Sequence, residues 1–222
     1  MKLVPDGEMN LVPNSKMILV PDSKMNLVLA TKNPGKLREL KELAHGFDWL
    51  ELELAPDQFD PEETGSTFIE NAIIKAKAAA EMTGKLSIAD DSGIAVDALD
   101  GAPGIRSARY CPGTDTDRRR KLLDDLRAVP DEDRGGAFVC AMALCDGDGN
   151  VLHTTLREWR GVIARDERGE NGFGYDPIFY LPDLDQTSAQ ISPEQKNARS
   201  HRGQAWRAML TFLNVLHQNC SK

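Results

Sequence analysis

The sequence lacks the patterns of several common protein classes. Its four cysteines include no pair spaced as Cys-x-x-Cys, which excludes the usual zinc and thiol redox motifs. No apolar run approaches the roughly 18 residues that cross a membrane, and no segment resembles a signal peptide. We therefore expect a cytoplasmic protein with no membrane partner.

Positive charge is also scarce. Lysine and arginine total 27 against 35 acidic residues, which gives a net charge of −8. A protein that binds nucleic acid normally presents a basic face, so we expect no nucleic-acid partner. A small polyanion remains possible as a ligand, because local donors and a metal ion can bind it. The length of 222 residues suits one sizeable domain, or one domain with two lobes.

The N-terminal segment differs from the rest of the chain. Leu-Val-Pro recurs at residues 3–5, 11–13 and 19–21, a repeat of eight residues. Eight residues are too few for the usual helical solenoid repeat, and the proline in each unit interrupts strand pairing. We predict that residues 1–24 form a disordered extension and that residues 25–222 form one domain.

An acidic pair follows an apolar run near the middle of the chain. Residues 86–89 predict a short buried strand, which leads into Asp90, Asp91 and a Ser92-Gly93 pair. Since side chains alternate along a strand, the two carboxylates converge only if the backbone breaks there, and Ser-Gly is a turn signal. Mg²⁺ commonly uses one or two carboxylates together with phosphate oxygens. The pattern therefore indicates either a magnesium site or an acidic surface turn.

A second stretch suits phosphate binding. An apolar strand at residues 26–30 precedes the polar residues 31–36, and a helical apolar pattern follows. The N-terminus of a helix offers free N–H groups to a phosphate. The loop is not a Walker A motif, because Ala30 stands where glycine is needed and Leu37 where serine or threonine is needed.

One further helix carries candidate ligands. Thr67 and Glu70 form a capping-box pattern that predicts a helix to about residue 83. Glu63 lies just before it and either stabilises the helix dipole or joins the aspartates as a metal ligand. Asn71 and Lys75 are one turn apart, and either face the same cleft or belong to a solvated face.

Two late segments suit the recognition of a flat ring. Residues 172–177 hold two aromatics separated by glycine and followed by an acid, which predicts either a stacking platform or a β-bulge with buried aromatics. A basic cluster precedes the final helix pattern, and in an acidic protein it favours an anion or an oxo-substituted base over a random surface patch. That cluster consists of Lys196, His201 and Arg202.

Seven short segments together carry a family likeness. In order they are residues 31–36, 63–65, 68–72, 90–93, 104–110, 173–177 and 200–203. The joint pattern resembles the RdgB-like family of inosine/xanthosine triphosphate pyrophosphatases over about residues 25–216. The resemblance implies an α/β, two-lobed ITPase-like fold, with an extended mixed β-sheet flanked by helices and a central active-site cleft. It also implies a homodimer.

The resemblance further implies a reaction and a set of triphosphate contacts. The reaction is Mg²⁺-dependent hydrolysis of ITP, dITP and XTP to the monophosphate and pyrophosphate, which cleanses the nucleotide pool. Carried over by position, the triphosphate contacts are Thr31, Lys32, Asn33, Pro34, Gly35 and Lys36.

The remaining roles are carried over in the same way. Glu63 and Asp91 match the metal ligands, and Asp91 also matches the proton acceptor; Asp90 is not separated from it by sequence. Ser92 matches a substrate contact. The base pocket is matched by Phe173, Gly174, Tyr175, Asp176, Lys196, His201 and Arg202.

Three other interpretations compete with this one. A Maf-like pyrophosphatase with another base preference is disfavoured by the aromatic-Gly-aromatic turn. A nucleotide sensor that does not hydrolyse its ligand would not need the acids Glu63, Asp90 and Asp91 beside Lys36. A purely structural protein would leave the basic cluster unexplained.

Overall fold

The computed structural model describes residues 24–220, so the predicted repeat extension lies outside it except for its last residue. Strands and helices alternate along the chain, and none of the described helices is long and apolar enough to cross a membrane. The elements are β1 (Met25–Leu29), α1 (Pro34–Ala44), β2 (Leu50–Leu54), α2 (Phe68–Thr83), β3 (Ser87–Val96), α3 (Asp115–Asp125), β4 (Gly135–Cys145), β5 (Val151–Ile163), β6 (Phe179–Leu181), β7 (Gln186–Thr187), α4 (Pro193–Arg199) and α5 (His201–Cys220).

The strands form a mixed sheet of seven in the order β2-β1-β3-β4-β5-β6-β7. β1 pairs in parallel with both β2 and β3, whereas β6 pairs antiparallel with β5 and β7. The predicted α/β fold, with a mixed sheet flanked by helices, is confirmed.

The described residues divide into two compact units. The first consists of residues 24–91, 141–156 and 205–220, and the second of Ser92–Cys140 and Arg157–Gln204. Each unit has its own apolar cluster.

The cluster of the first unit is rich in alanine. α2 buries Ala72, Ala76, Ala79 and Ala80 completely, and such small side chains let the helix lie close to neighbouring strands. α2 begins at the predicted capping box, where the Thr67 and Glu70 side chains each bond to the other residue's backbone. It ends at Thr83, before a left-handed glycine, as predicted.

The cluster of the second unit is aromatic. The Phe138 ring lies 4.4 Å from the Phe179 ring and 6.4 Å from the Trp159 ring, centre to centre. α3 adds Leu122, and Leu126 follows at the C-cap of this helix; both are fully buried. Phe138 and Trp159 are therefore packing residues.

The predicted break at Ser92-Gly93 is wrong. β3 continues from Ser87 to Val96, so the two aspartates lie within the strand and not at its end. Ser-Gly is a local turn signal, but β3 is hydrogen-bonded to β4 in the sheet as well as to β1, which pairs with its start at Ser87 and Ile88. Pairing between strands can override a local turn signal. The acidic pair is not a surface turn either, because both aspartates are buried.

The predicted placement of the basic cluster ahead of the final helix is wrong for His201 and Arg202. Lys196 lies in α4, which begins at a capping box formed by Ser192 and Gln195. His201 and Arg202 lie in the first turn of α5. The Ser192 and Gln195 pair that starts α4 is a local signal that our prediction did not include.

Candidate active site

The two aspartates of β3 contact different lysines. Asp90 Oδ2 lies 2.8 Å from Lys36 Nζ, and Asp91 Oδ1 lies 2.8 Å from Lys75 Nζ. Adjacent side chains of a strand point to opposite faces, so an unbroken β3 separates the carboxylates and gives each its own counter-ion. The predicted convergence of the two carboxylates required a break in the strand, and β3 has none.

Lys75 lies at the centre of the predicted metal-binding acids. Its Nζ atom is 2.8 Å from Glu63 Oε1 as well as 2.8 Å from Asp91 Oδ1. Lys75 is 9% exposed, which excludes the solvated face that its sequence left open. The helix therefore brings one ammonium group between the two carboxylates.

Burial and charge act in opposite directions on this group. Burial raises the pKa of Asp91 above its usual value, and the nearby Lys75 and Lys36 oppose that shift. Burial lowers the pKa of Lys75, but the attraction of Asp91 and Asp90 outweighs it, so the Lys75 pKa is raised. Lys75 is therefore a stable cation, while Asp91 is more basic than an ordinary aspartate.

Asn71 connects the Glu63 segment to the same acids. Its Oδ1 atom accepts a hydrogen bond of 2.8 Å from the Gly65 N–H, and its Nδ2 atom lies 3.5 Å from Asp91 Oδ2. A Cβ atom on Gly65 would lie 2.6 Å from Asn71 Oδ1, so only glycine permits this approach. In the sequence, only the four-residue spacing of Asn71 and Lys75 indicated that these two side chains belong to the same site.

The residues before α1 are arranged differently from the prediction. Asn33 is the N-cap of α1, and its Oδ1 atom accepts hydrogen bonds from the N–H groups of Gly35 (2.9 Å) and Lys36 (3.1 Å). These two N–H groups are not free, and Pro34 has none. Thr31 Oγ1 accepts from the Asn33 N–H at 3.2 Å, and the exposed Lys32 lies 3.5 Å from Asp60.

The acids fit a hard divalent cation. Within residues 24–220 no three His, Cys, Asp or Glu residues form a metal-binding group. Glu63 and Asp91 nevertheless hold two carboxylates around one positive charge. Mg²⁺ is commonly bound by one or two carboxylates, with the other positions taken by water and phosphate oxygens.

In the second unit the predicted base-binding residues surround Asp176. This carboxylate is 2% exposed and accepts hydrogen bonds from the Phe173 N–H (2.8 Å), Ser188 Oγ (2.8 Å) and Lys196 Nζ (2.7 Å). One buried acid therefore joins the aromatic loop, the segment after β7 and α4. Ser188 was not singled out from the sequence, and nothing in its spacing indicated this contact.

Cations surround the half-buried ring of Phe173. Lys196 Nζ lies 4.8 Å from the ring centre and the guanidinium carbon of Arg202 lies 5.6 Å from it, both within cation–π range. The His201 ring instead stacks on Phe138 at 4.9 Å and an angle of 12°. The structure thus brings Lys196 and Arg202 to the aromatic loop, and His201 to the aromatic packing cluster.

Tyr175 differs from Phe173. It is 6% exposed, its hydroxyl donates a 2.9 Å hydrogen bond to the Ser107 carbonyl, and burial raises its pKa. Tyr175 is a buried anchor, so the alternative of a β-bulge with buried aromatics describes it better than the stacking platform.

Ser92, the predicted substrate contact, is half-buried in β3 and belongs to the second unit.

Comparison with known proteins is consistent with the family likeness of the motifs. The model of the Ham1 family matches residues 27–212. A dITP/XTP pyrophosphatase of Desulforamulus reducens is 47% identical over 194 residues, which cover 86% of this chain and 96% of the relative. A dITP/XTP pyrophosphatase of Gloeobacter violaceus is 51% identical over 184 residues, or 83% and 92% of the two chains.

Solved structures agree with these matches. The structure of a HAM1 protein from Coxiella burnetii is similar with a TM-score of 0.77 at 44% identity, covering 86% of this chain and 99% of that one. The Ham1 protein of Staphylococcus aureus gives a TM-score of 0.76 at 43% identity, with 86% and 98% covered. The chain belongs to the Ham1 family.

Proposed function

We propose that this protein hydrolyses the non-canonical purine nucleoside triphosphates dITP, ITP and XTP to the monophosphate and pyrophosphate. The observation that carries the proposal is the arrangement of Glu63 and Asp91 around one buried cation, Lys75. The substrate class follows from relatives described as dITP/XTP pyrophosphatases that are about half identical to this chain. Removal of such nucleotides would cleanse the nucleotide pool.

The acidic group suits attack of water on the α-phosphorus. Phosphoryl transfer depends mainly on positioning and on neutralisation of charge. Asp91 is the proposed proton acceptor, because it matches that position of the family motif and its buried carboxylate is oriented by Lys75 Nζ at 2.8 Å. Lys36 contributes positive charge from the first turn of α1, and Lys75 orients Asp91 and Glu63.

We further propose Mg²⁺ as the cofactor, bound by Glu63 and Asp91. When bound, the ion would neutralise phosphate oxygens. The support is the pair of carboxylates already directed at one positive charge.

The Phe173 group is the proposed base site. Its ring offers a face for stacking, and Lys196 and Arg202 beside it are donors suited to a 6-oxo group. A site built to donate hydrogen bonds disfavours an amino group at that position, because the donors are then left unpaired. This arrangement supports a preference for ITP and XTP over ATP.

The motif resemblance also supports a cytoplasmic homodimer whose activity resides in residues 25–222. Light scattering of the purified chain tests the dimer. A chain that starts at Met25 is expected to retain full activity. Loss of turnover in that shortened chain would assign the repeat segment a functional role.

Pyrophosphate release from ITP, XTP, GTP and ATP tests the proposed function. The four rates are measured in parallel, with Mg²⁺ and with a chelator. We expect fast Mg²⁺-dependent release from ITP and XTP and slow release from GTP and ATP. Equal rates on all four nucleotides would contradict the proposed base site but would still support the proposed hydrolysis. Tight ITP binding without release would favour a sensor.

A further inference from the structure

Helix α3 forms hydrogen bonds to one residue of the aromatic loop, Gly174. The carbonyl oxygen of Gly174 accepts a 2.9 Å hydrogen bond from Arg119 Nη1, and the Gly174 N–H donates one of 3.0 Å to Asp115 Oδ2. Arg119 and Asp115 are four residues apart and therefore lie on one face of the helix. Both backbone polar groups of the residue after Phe173 are thus bonded to that face.

These hydrogen bonds are the specific contact at this point of the loop. Gly174 has a φ of +61°, and nothing lies within 4 Å of the position that a Cβ atom would occupy. The Gly174 peptide is held by its two hydrogen bonds to α3, while Asp176 fixes the N–H of Phe173 on the other side.

Both α3 side chains are oriented before any ligand binds. Arg119 Nη2 donates to Thr116 Oγ1 at 2.9 Å and lies 2.9 Å from Glu167 Oε2, and the Arg119 side chain is 12% exposed. Asp115 Oδ1 accepts a 2.8 Å hydrogen bond from Arg118. Side chains held in this way lose little entropy when they bind the loop.

We propose that Arg119 and Asp115 are positioning residues that set base selectivity through Phe173. They touch neither substrate nor reacting atoms. Movement of the Gly174 peptide shifts the adjacent Phe173 ring relative to Lys196 Nζ, which lies 4.8 Å from its centre. The inference rests on the proposed function of Phe173 as the base platform. The sequence gives no local signal for this positioning role, because polar residues are common on the exposed face of a helix.

The test compares Arg119→Met with Arg120→Met. Arg120 is exposed on the same helix and makes a matched control. We measure kcat and KM for ITP and for ATP, which carries an amino group where ITP has the 6-oxo group. Because a lost hydrogen bond to a charged group weakens positioning, we expect the ITP-to-ATP ratio of kcat/KM to fall about tenfold in Arg119→Met, mainly through KM for ITP. Arg120→Met should keep the native ratio.

A purely structural role gives a different result. It would lower the melting temperature of Arg119→Met without changing the substrate ratio, and that result would overturn the proposal. Asp115→Asn retains an oxygen that accepts from the Gly174 N–H, so we expect a smaller loss of selectivity at a similar melting temperature. A larger loss in Asp115→Asn than in Arg119→Met would also contradict it.

A double-mutant cycle tests whether Arg119 acts through Phe173. In the Phe173→Ala background, Arg119→Met should change the ratio no further, whereas additive effects would overturn the proposal. The native protein separates the two levels of inference. No preference of the native enzyme for ITP over ATP would overturn the base site and this inference together. A native preference that Arg119→Met keeps would overturn this inference alone.

Discussion

The two groups of candidate site residues are built in different ways. In the first unit, regular elements carry the charges: Asp90 and Asp91 lie in β3 and Lys75 in α2. In the second, a loop around Asp176 carries the Phe173 ring of the proposed base site, between glycines with positive φ at residues 172 and 174, while its two cations come from α4 and α5. The first group is positioned by the pleat and pitch of its elements, and the second by hydrogen bonds to a buried acid and to α3.

This difference predicts different responses to substitution. Because strand and helix geometry would survive a change of charge in the first unit, we expect such changes to act on chemistry and on ion-pair energy. In the second unit, loss of a hydrogen bond or a glycine moves the loop, so we expect effects on base recognition.

The largest effect is expected from Asp91→Asn. This change removes the proposed proton acceptor while keeping the shape of the side chain. We expect kcat for ITP to fall about 10³-fold, within the range for loss of a general base, while ITP binding partly survives. Steady-state pyrophosphate release and calorimetric ITP binding measure the two quantities.

Asp148→Asn is the matched control, since Asp148 is an exposed acid in the turn between β4 and β5. It should retain native kcat. Near-native turnover in Asp91→Asn would remove Asp91 from the mechanism. Asp90→Asn sharpens the comparison, because Asp90 orients Lys36; we expect its loss mainly in KM.

Lys75→Met should have the next largest effect. Without the ammonium group, Glu63 and Asp91 face each other with no counter-ion from Lys75. Removal of one partner from a buried ion pair costs about 3 kcal/mol or more, so we expect a comparable fall in the free energy of unfolding in the presence of chelator. Urea denaturation measures this change.

Mg²⁺ should stabilise Lys75→Met more than the native protein, since a cation can replace the missing charge. Lys77→Met, an exposed change on the same helix, should leave stability within about 0.5 kcal/mol of native. Equal stabilisation of Lys75→Met and native protein by Mg²⁺ would argue against a metal site at Glu63 and Asp91.

The smallest effects are expected from two glycine substitutions in the loop. A Cβ atom on Gly172 would lie 2.0 Å from Asp176 Oδ2, whereas one on Gly174 meets nothing. Gly172→Ala should therefore cost about 2 kcal/mol and weaken ITP binding, because it displaces the acid that holds Lys196. Gly174→Ala should cost roughly 1 kcal/mol, from its positive φ alone.

Thermal denaturation and ITP titration distinguish these two variants. If Gly174→Ala weakens ITP binding as much as Gly172→Ala, the Asp176 contacts are not what positions the base site. Equal stability of both variants would show that the loop relaxes around the added methyl group.

Local signals in the sequence predicted several elements well. The capping box at Thr67 and Glu70 located α2, and the left-handed Gly84 ended it, because both signals act within one turn of the helix. The joint order of the seven motifs indicated the family that the comparisons confirm. The spacing of Asn71 and Lys75 placed both on one helical face, but it did not indicate whether that face is buried or exposed to solvent.

Signals that depend on distant partners were misread. Ser92-Gly93 was predicted to break a strand that in fact continues to Val96 beside its sheet neighbour β4. The N–H groups of Gly35 and Lys36 were expected to be free, but the Asn33 side chain occupies them. The first error arose because strand pairing involves residues distant in sequence. The second arose because the Asn33 side-chain amide can either cap the helix or contact a ligand, and the sequence does not distinguish these roles.

The sequence by itself determined the family, the α/β class, the start and end of α2, and the residue types of the candidate site. These depend on motif order and on contacts within a few residues. Only the tertiary structure decided which lysine neutralises which aspartate, that Lys75 lies between Glu63 and Asp91, and that α3 holds Gly174. These contacts join residues 12 to 55 positions apart, and the packing of distant elements sets them.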